Sequence, residues 1–218
     1  MVTERFRGRP REFDRDQALA KAMKRFWLLG FDATSMRHLA EAMAISQPSL
    51  YACFGSKAAL YVQVVGAFEE EVAFLDMSAV TTASSLSKGL DRMLDDLVRR
   101  ITKSGSPKGC MILGGQIADV PGQRHLVLHL RARRRAYQAA LSVALETWLP
   151  LKKASATAAV VTIFARGLSD QARDGDTAAL LRQSVEDFGR HATHATETTG
   201  SGGSGGSGSG GANLEAAA

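Results

Sequence analysis

The apolar positions of this chain recur with the period of a helix and not of a strand. Ala18, Ala22, Phe26 and Leu29 share one helical face. Asp14 stands before them as an N-cap, Gln17 three residues on completes a capping box, and Gly30 supplies the stop. Thr34-Ser35 opens a second, short helix with Leu39, Ala40 and Met43 inward. After a break at Ala44-Ile45, Ser46 caps a third, with Pro48 in its first turn and Leu50, Tyr51 and Phe54 along it. Gly55 ends that helix. Ser56 caps a long fourth one that carries Leu60, Val64, Phe68 and Val72.

Five more helices are expected, at about 84–104, 109–119, 122–148, 152–174 and 177–194, with boundaries at Pro107, Pro121, Pro150 and the Asp174-Gly175-Asp176 turn. No alternating strand pattern of useful length is present, and no internal repeat. The expected fold class is all-α. Two short helices joined by a tight break over residues 35–54 form a helix-turn-helix pattern, in which the second helix enters the major groove of DNA.

Composition narrows the picture. The 218 residues suffice for one domain or two small ones. Hydrophobic residues at 45% and charged residues at 22% are the balance of a soluble protein, and aromatics at 6% favour helices over a sheet sandwich. The formal charge of +5 suits a polyanionic partner, and its distribution says more. Arg5, Arg7, Arg9 and Arg11 stand against a single Glu4, interleaved with Gly8 and Pro10. Residues 1–12 therefore read as a flexible basic arm. At the other end, Gly200 to Gly211 is almost pure Gly and Ser, so residues 196–218 read as a flexible linker or expression tail.

Two widely separated cysteines, Cys53 and Cys110, are no disulfide framework and suit a reducing compartment. The N-terminus carries charges where a signal peptide needs an apolar run, and no stretch approaches the roughly 18 apolar residues of a membrane span. A cytoplasmic protein without membrane contact is expected. No phosphate-binding Gly loop, metal-ligand spacing or nucleophile elbow occurs, and Asp95-Asp96 and Glu69-Glu70-Glu71 lie at surface-like spacing. The chain is not expected to be an enzyme or to need a metal or cofactor.

The run from Thr34 to Lys57 resembles the DNA-binding region of the TetR family of bacterial regulators. The features that carry the resemblance are Gly30-Phe31, Leu39-Ala40, Ile45-Ser46, Leu50-Tyr51, Phe54 and Ser56-Lys57, in that order. One departure is Ala44, where the family usually has Gly. At a positive φ an Ala costs on the order of 1 kcal/mol. The resemblance implies a helix-turn-helix domain over 13–60 and a helical ligand-binding and dimerisation domain over 61–195. It further implies a repressor that holds a palindromic, double-stranded operator as a homodimer and is released by a small-molecule effector.

The same resemblance assigns residues. Gln47, Pro48 and Ser49 match the start of the recognition helix, where a Gln amide suits adenine and Pro or Ser a thymine methyl or base edge. Arg37 matches a position that reaches base or phosphate. Tyr51 is expected to place its hydroxyl on a phosphate, with Ser35 and Lys57 as further phosphate contacts at helix N-termini. Arg7 and Arg9 suit a neighbouring minor groove. The last two helices are expected to form the dimer surface through Ala159, Val160, Ile163, Gly167, Leu181, Val185 and Phe188. Candidate effector-pocket walls are Phe68, Met93, Leu97, Met111, Leu113, Gln116, His125, Tyr137 and Trp148.

Two further expectations concern the second domain. Cys110, at the expected start of helix 109–119 and beside Lys108, reads first as a buried, inert thiol, and alternatively as one that the helix dipole and Lys108 activate. The Gly109-Cys110 pair is similar to the electrophile- or oxidant-sensing subset of the family, which gives an alternative function as a thiol-sensing repressor. The Arg131 to Arg135 run is read as a solvated helix face.

Overall fold

In the computed structural model, residues 14–72 and 75–197 are described, with side chains described through residue 190. Arg7, Arg9 and the glycine-rich tail lie outside the described residues. The chain forms helices α1 (Arg15–Leu29), α2 (Met36–Met43), α3 (Gln47–Phe54), α4 (Lys57–Val72), α5 (Met77–Thr81), α6 (Leu86–Ile101), α7 (Arg124–Leu145), α8 (Leu151–Asp174) and α9 (Ala178–Glu197). The described residues contain no strand.

The first three helices end where their local chemistry directs. Asp14 accepts from the backbone N–H groups of Asp16 and Gln17, and Gly30 closes α1 at φ 76°. Ala18, Ala22 and Phe26 face inward, joined by Met23 and Trp27, whereas Leu29 is 38% exposed and lies off the buried stripe. Behind the helix pair, the ring of Tyr61 from α4 meets Phe26 and Phe31 edge-on, each at 5.1 Å between centroids. Trp27 meets Phe68 in the same way at 4.8 Å. Such edge contacts add about 0.5–1.5 kcal/mol each to the burial of the rings. This aromatic cluster fixes α4 against α1, and α4 runs on into the body.

In the body, α7 packs along α8, and α6 is held between α5 and α9. The expectation of a helix at 109–119 is not met. Residues 102–123 between α6 and α7 cross the body without helix. Gly109, Gly114 and Gly115 weaken helix formation there, and a Cβ on Gly115 would lie 1.9 Å from the Met111 carbonyl oxygen. Side chains from elsewhere satisfy the backbone instead. Arg134 donates to the carbonyls of Ile112 (2.8 Å) and Gly115, Arg166 to Leu113 (3.1 Å), and Arg173 to Cys110 and Gly114 (both 2.9 Å). Trp27 Nε1 donates to the Gly109 carbonyl at 2.9 Å, and Asp32 accepts from the Ala118 N–H at 2.9 Å. The crossing segment thus ties the first helices to α7 and α8. The short α5 was not anticipated from the sequence.

Candidate nucleic-acid interface

The helix pair α2–α3 is built by three caps. Ser35 Oγ accepts from the His38 N–H at 3.1 Å, and His38 Nδ1 reaches back to the Ser35 N–H at 3.5 Å, a capping box completed by histidine. Ala44 stands in the left-handed region at φ 59°, ψ 43°. Its N–H bonds the Glu41 carbonyl, and the Ile45 N–H bonds Ala40, both at 3.1 Å. That pair of bonds is a Schellman closure, which satisfies the last carbonyls of α2. Ser46 then caps α3 through the Ser49 N–H at 3.2 Å. The residue where the sequence departs from the family pattern is thus the one described non-glycine residue at positive φ.

Leu50 and Phe54 bury the inner face of α3, which leaves Gln47, Pro48, Tyr51 and Ala52 exposed. Tyr51 is 51% exposed. Ser49 is half-buried, and its hydroxyl is 2.8 Å from that of Ser46. Arg37 is exposed on α2, 3.7 Å from Glu41 one turn on. An exposed pair of this kind contributes little and yields readily to a phosphate or base.

Lys57 departs from its expected role. Its ammonium donates to the carbonyls of Phe31 (3.0 Å) and Thr34 (2.9 Å) and lies 4.1 Å from the centroid of the Phe31 ring. Burial lowers its pKa, with Asp32 opposing the shift. The side chain staples the start of α4 to the α1–α2 turn instead of standing free for phosphate. Arg15 was not singled out in the sequence. Its guanidinium lies 5.2 Å from the centroid of the Phe54 ring and bonds Gln63.

The candidate effector-pocket residues fall in different parts of the body. Phe68, Met93, Leu97, Met111 and Leu113 are packed into the core. Tyr137 donates to Glu69 at 2.8 Å, and Trp148 Nε1 to the Val80 carbonyl at 3.0 Å. Gln116 and His125 are exposed, the first on the non-helical crossing segment and the second at the start of α7. A groove of about 520 Å³ lies instead between α6 and α9, lined by Ser87, Asp91, Asp95, Arg182, Glu186 and Arg190 among others. Asp91 there has its pKa raised, first by burial.

Cys110 is fully buried and starts no helix. Its sulfur accepts from the N–H groups of Ile112 (3.2 Å) and Leu113 (2.9 Å), yet burial outweighs these bonds and pushes the thiol pKa up to about 12. This is the buried, inert thiol of the first reading; the helix dipole that the alternative needs is missing, and Lys108 bonds the Thr102 carbonyl at 2.6 Å. Nor is the arginine run wholly solvated. Arg133 pairs with Glu69 and Arg134 turns inward, while Arg131 and Arg135 are exposed.

The expected dimer surface divides in two. On α8, Val160 is 54% and Ile163 70% exposed, Gly167 is exposed, and Ala159 is half-buried. Leu181 and Val185 on α9 are buried within the single chain, because that face of α9 packs on α6. Phe188 stacks on Phe164 with centroids 4.3 Å apart.

An all-helical chain that presents a capped helix pair with an exposed second helix belongs to the helix-turn-helix class. The family model for bacterial regulatory proteins of the tetR family matches residues 18–64. The chain is 34% identical over 131 residues to the HTH-type transcriptional repressor BdcR of Escherichia coli (strain K12), a match covering 59% of this chain and 66% of that one. It is 33% identical over 129 residues to the repressor ComR of the same organism, covering 55% and 61%. The matched stretch is therefore just under two thirds of these relatives' length. Among solved structures, the TetR family regulator CifR, as a cysteine mutant complexed with 26bp double-strand operator DNA, superposes with a TM-score of 0.77 at 29% identity, covering 84% of this chain and 98% of that one. The chain belongs to the TetR family of transcriptional regulators. No described helix is long and apolar enough to cross a membrane.

Proposed function

We propose that the chain is a cytoplasmic, non-enzymatic transcription repressor that binds a palindromic operator as a homodimer and is released by a small-molecule effector. The observation that carries the reading is the α2–α3 pair, capped at every end, with Gln47, Pro48, Tyr51 and Arg37 exposed together. The operator complex of CifR supports it. In this reading α1–α3 form the DNA-reading head, and the helices from α4 onward form the effector and dimer domain. Arg7 and Arg9 enter a neighbouring minor groove. The exposed apolar positions Val160, Ile163 and Leu180 supply the dimer surface. Two heads then meet half-sites about 34–36 Å apart.

The effector acts by population shift through α4, which shares the aromatic cluster with the head and the Glu69 bonds with α7. A 100-fold preference for the released state is worth about 2.7 kcal/mol of coupling per site. Selection from random duplexes tests the DNA reading. An enriched palindrome, bound about tenfold or more weakly after Arg37→Ala or Tyr51→Ala, is expected. No enrichment by the folded protein would overturn it.

A further inference from the structure

Three arginines converge on the crossing segment, and two of them keep donors in reserve. Arg134 of α7 donates through Nε to the Ile112 carbonyl and through Nη2 to that of Gly115. Arg166 of α8 donates through Nε to Leu113, and Arg173 donates through its two Nη groups to Gly114 and Cys110. No described bond uses Nη1 of Arg134 or either Nη of Arg166. Arg134 is half-buried and Arg166 is exposed, so the pair reaches from the edge of the core to solvent.

The charge at this place is incompletely balanced. A carbonyl oxygen brings a partial charge where a carboxylate brings a full one. Arg133 has Glu69 and Arg182 has Asp95, but no described ion pair neutralises Arg134, Arg166 or Arg173. Burial lowers the pKa of Arg134, and the charge of Arg166 lowers it further, with Cys110, Tyr61 and Asp170 opposing the shift. Two guanidiniums in this situation gain from one oxyanion placed between them. Each planar fork matches a pair of oxygens, and the anion removes the mutual repulsion.

We propose that Arg134 and Arg166 form an oxyanion-binding site that takes the carboxylate or phosphate head group of a small effector. This rests on the effector-release reading above. The site lies on a segment that is tied to the first helices independently of α4. Trp27 donates to the Gly109 carbonyl, and Asp32 accepts from the Ala118 N–H. An anion competes with the Ile112, Leu113 and Gly115 carbonyls for the guanidiniums. The segment then loosens, and with it the body's hold on the DNA-reading head.

The test follows the isotope-labelled arginine side chains of the full chain by NMR. Inorganic phosphate or sodium benzoate is added at constant ionic strength, with chloride as the balancing ion. Arg166→Gln and Arg166→Lys are measured beside the parent, because Arg166 is exposed, and melting curves confirm folding. The expected result is a saturable shift of the Arg134 and Arg166 Nε–H signals. Binding weakens about tenfold in Arg166→Gln and less in Arg166→Lys, which keeps the charge and loses the fork. The stronger of the two probes tells a phosphate head group from a carboxylate. Operator affinity, read by fluorescence anisotropy on the selected duplex with the probe at saturation, is expected to fall about tenfold. If neither probe gives a saturable shift, the proposal is overturned and the repressor reading stands. Undiminished binding by folded Arg166→Gln overturns the assignment to this arginine pair. Saturable binding with unchanged operator affinity overturns the effector role. If no operator is enriched, the effector-release reading falls, and the arginine shifts alone decide whether the anion site exists.

Discussion

The turn at Ala44-Ile45 and the segment from 102 to 123 both connect helices without being helical, and they are held by opposite means. The turn is closed by its own neighbours. Its bonds run from Ala44 to Glu41 and from Ile45 to Ala40, and Ser46 at once opens the next helix. The crossing segment is held by residues far along the chain. Trp27 and Asp32 reach it from the head, and Arg134, Arg166, Ser169 and Arg173 reach it from α7 and α8. A locally closed turn tolerates a poor residue, as the left-handed Ala44 shows. A segment held from a distance does not at the positions its partners grip, because the rest of the fold fixes where those partners stand.

The largest expected contrast is in thiol chemistry. With its pKa near 12, Cys110 at pH 8 is ionised about a thousandfold less than at the ordinary value of 9.0. Reaction with a thiol reagent should therefore label Cys53 in the native protein and Cys110 only after denaturation; rapid native labelling of both would refute the packing described for Cys110. The raised values of Cys110 and of Tyr61, also about 12, have a stability consequence. The native state holds these protons more tightly than the unfolded chain. Their contribution is complete below about pH 9 and is lost as pH climbs toward 12.

Next in size is Gly115→Ala. Its Cβ would stand 1.9 Å from a backbone oxygen, and a loss of about 3 kcal/mol is expected in urea unfolding. Gly122→Ala, with nothing within 4 Å, should stay within about 0.5 kcal/mol of the parent, and equal losses at both would break the comparison. Trp27→Phe keeps an aromatic ring but leaves the Gly109 carbonyl without its donor, for a loss of about 1–3 kcal/mol by the same measurement. The smallest effect runs the other way. Ala44→Gly relieves the left-handed strain and should raise stability by up to about 1 kcal/mol, read as a higher urea midpoint. A lower midpoint would mean that the turn is held by more than local closure.

The same division sets what the sequence makes legible. The head is readable because its signals are adjacent residues. Asp14, Ser35, Ser46 and Ser56 each cap the helix that follows, and Gly30 and Gly55 each end one. Lys57 escaped because its position in the family pattern suggests a free cation, and only the fold brings the Phe31 and Thr34 carbonyls to it. The crossing segment escaped because apolar residues such as Met111, Ile112 and Leu113 read as a helix face. The arginines that replace the helix ladder lie about twenty to sixty residues away. Leu181 and Val185 read from sequence as a partner-facing stripe because an amphipathic helix does not reveal which neighbour covers it. Here that neighbour is α6. The exposed α8 stripe, in contrast, was visible as Val160 and Ile163 at helical spacing.

The arginine-held segment also sets an order of events during synthesis. Residues of the head emerge first and carry their own closures, so they can fold while translation continues. Gly109 to Gly115 follow, but Ser169 and Arg173, which hold the Cys110 amide and carbonyl, are made some sixty residues later. Until α8 leaves the ribosome the cysteine has no enclosure, and its thiol is open to oxidants that the finished protein excludes. Protection of the Cys110 thiol is therefore a property of the finished body, acquired only once α8 has packed against the crossing segment.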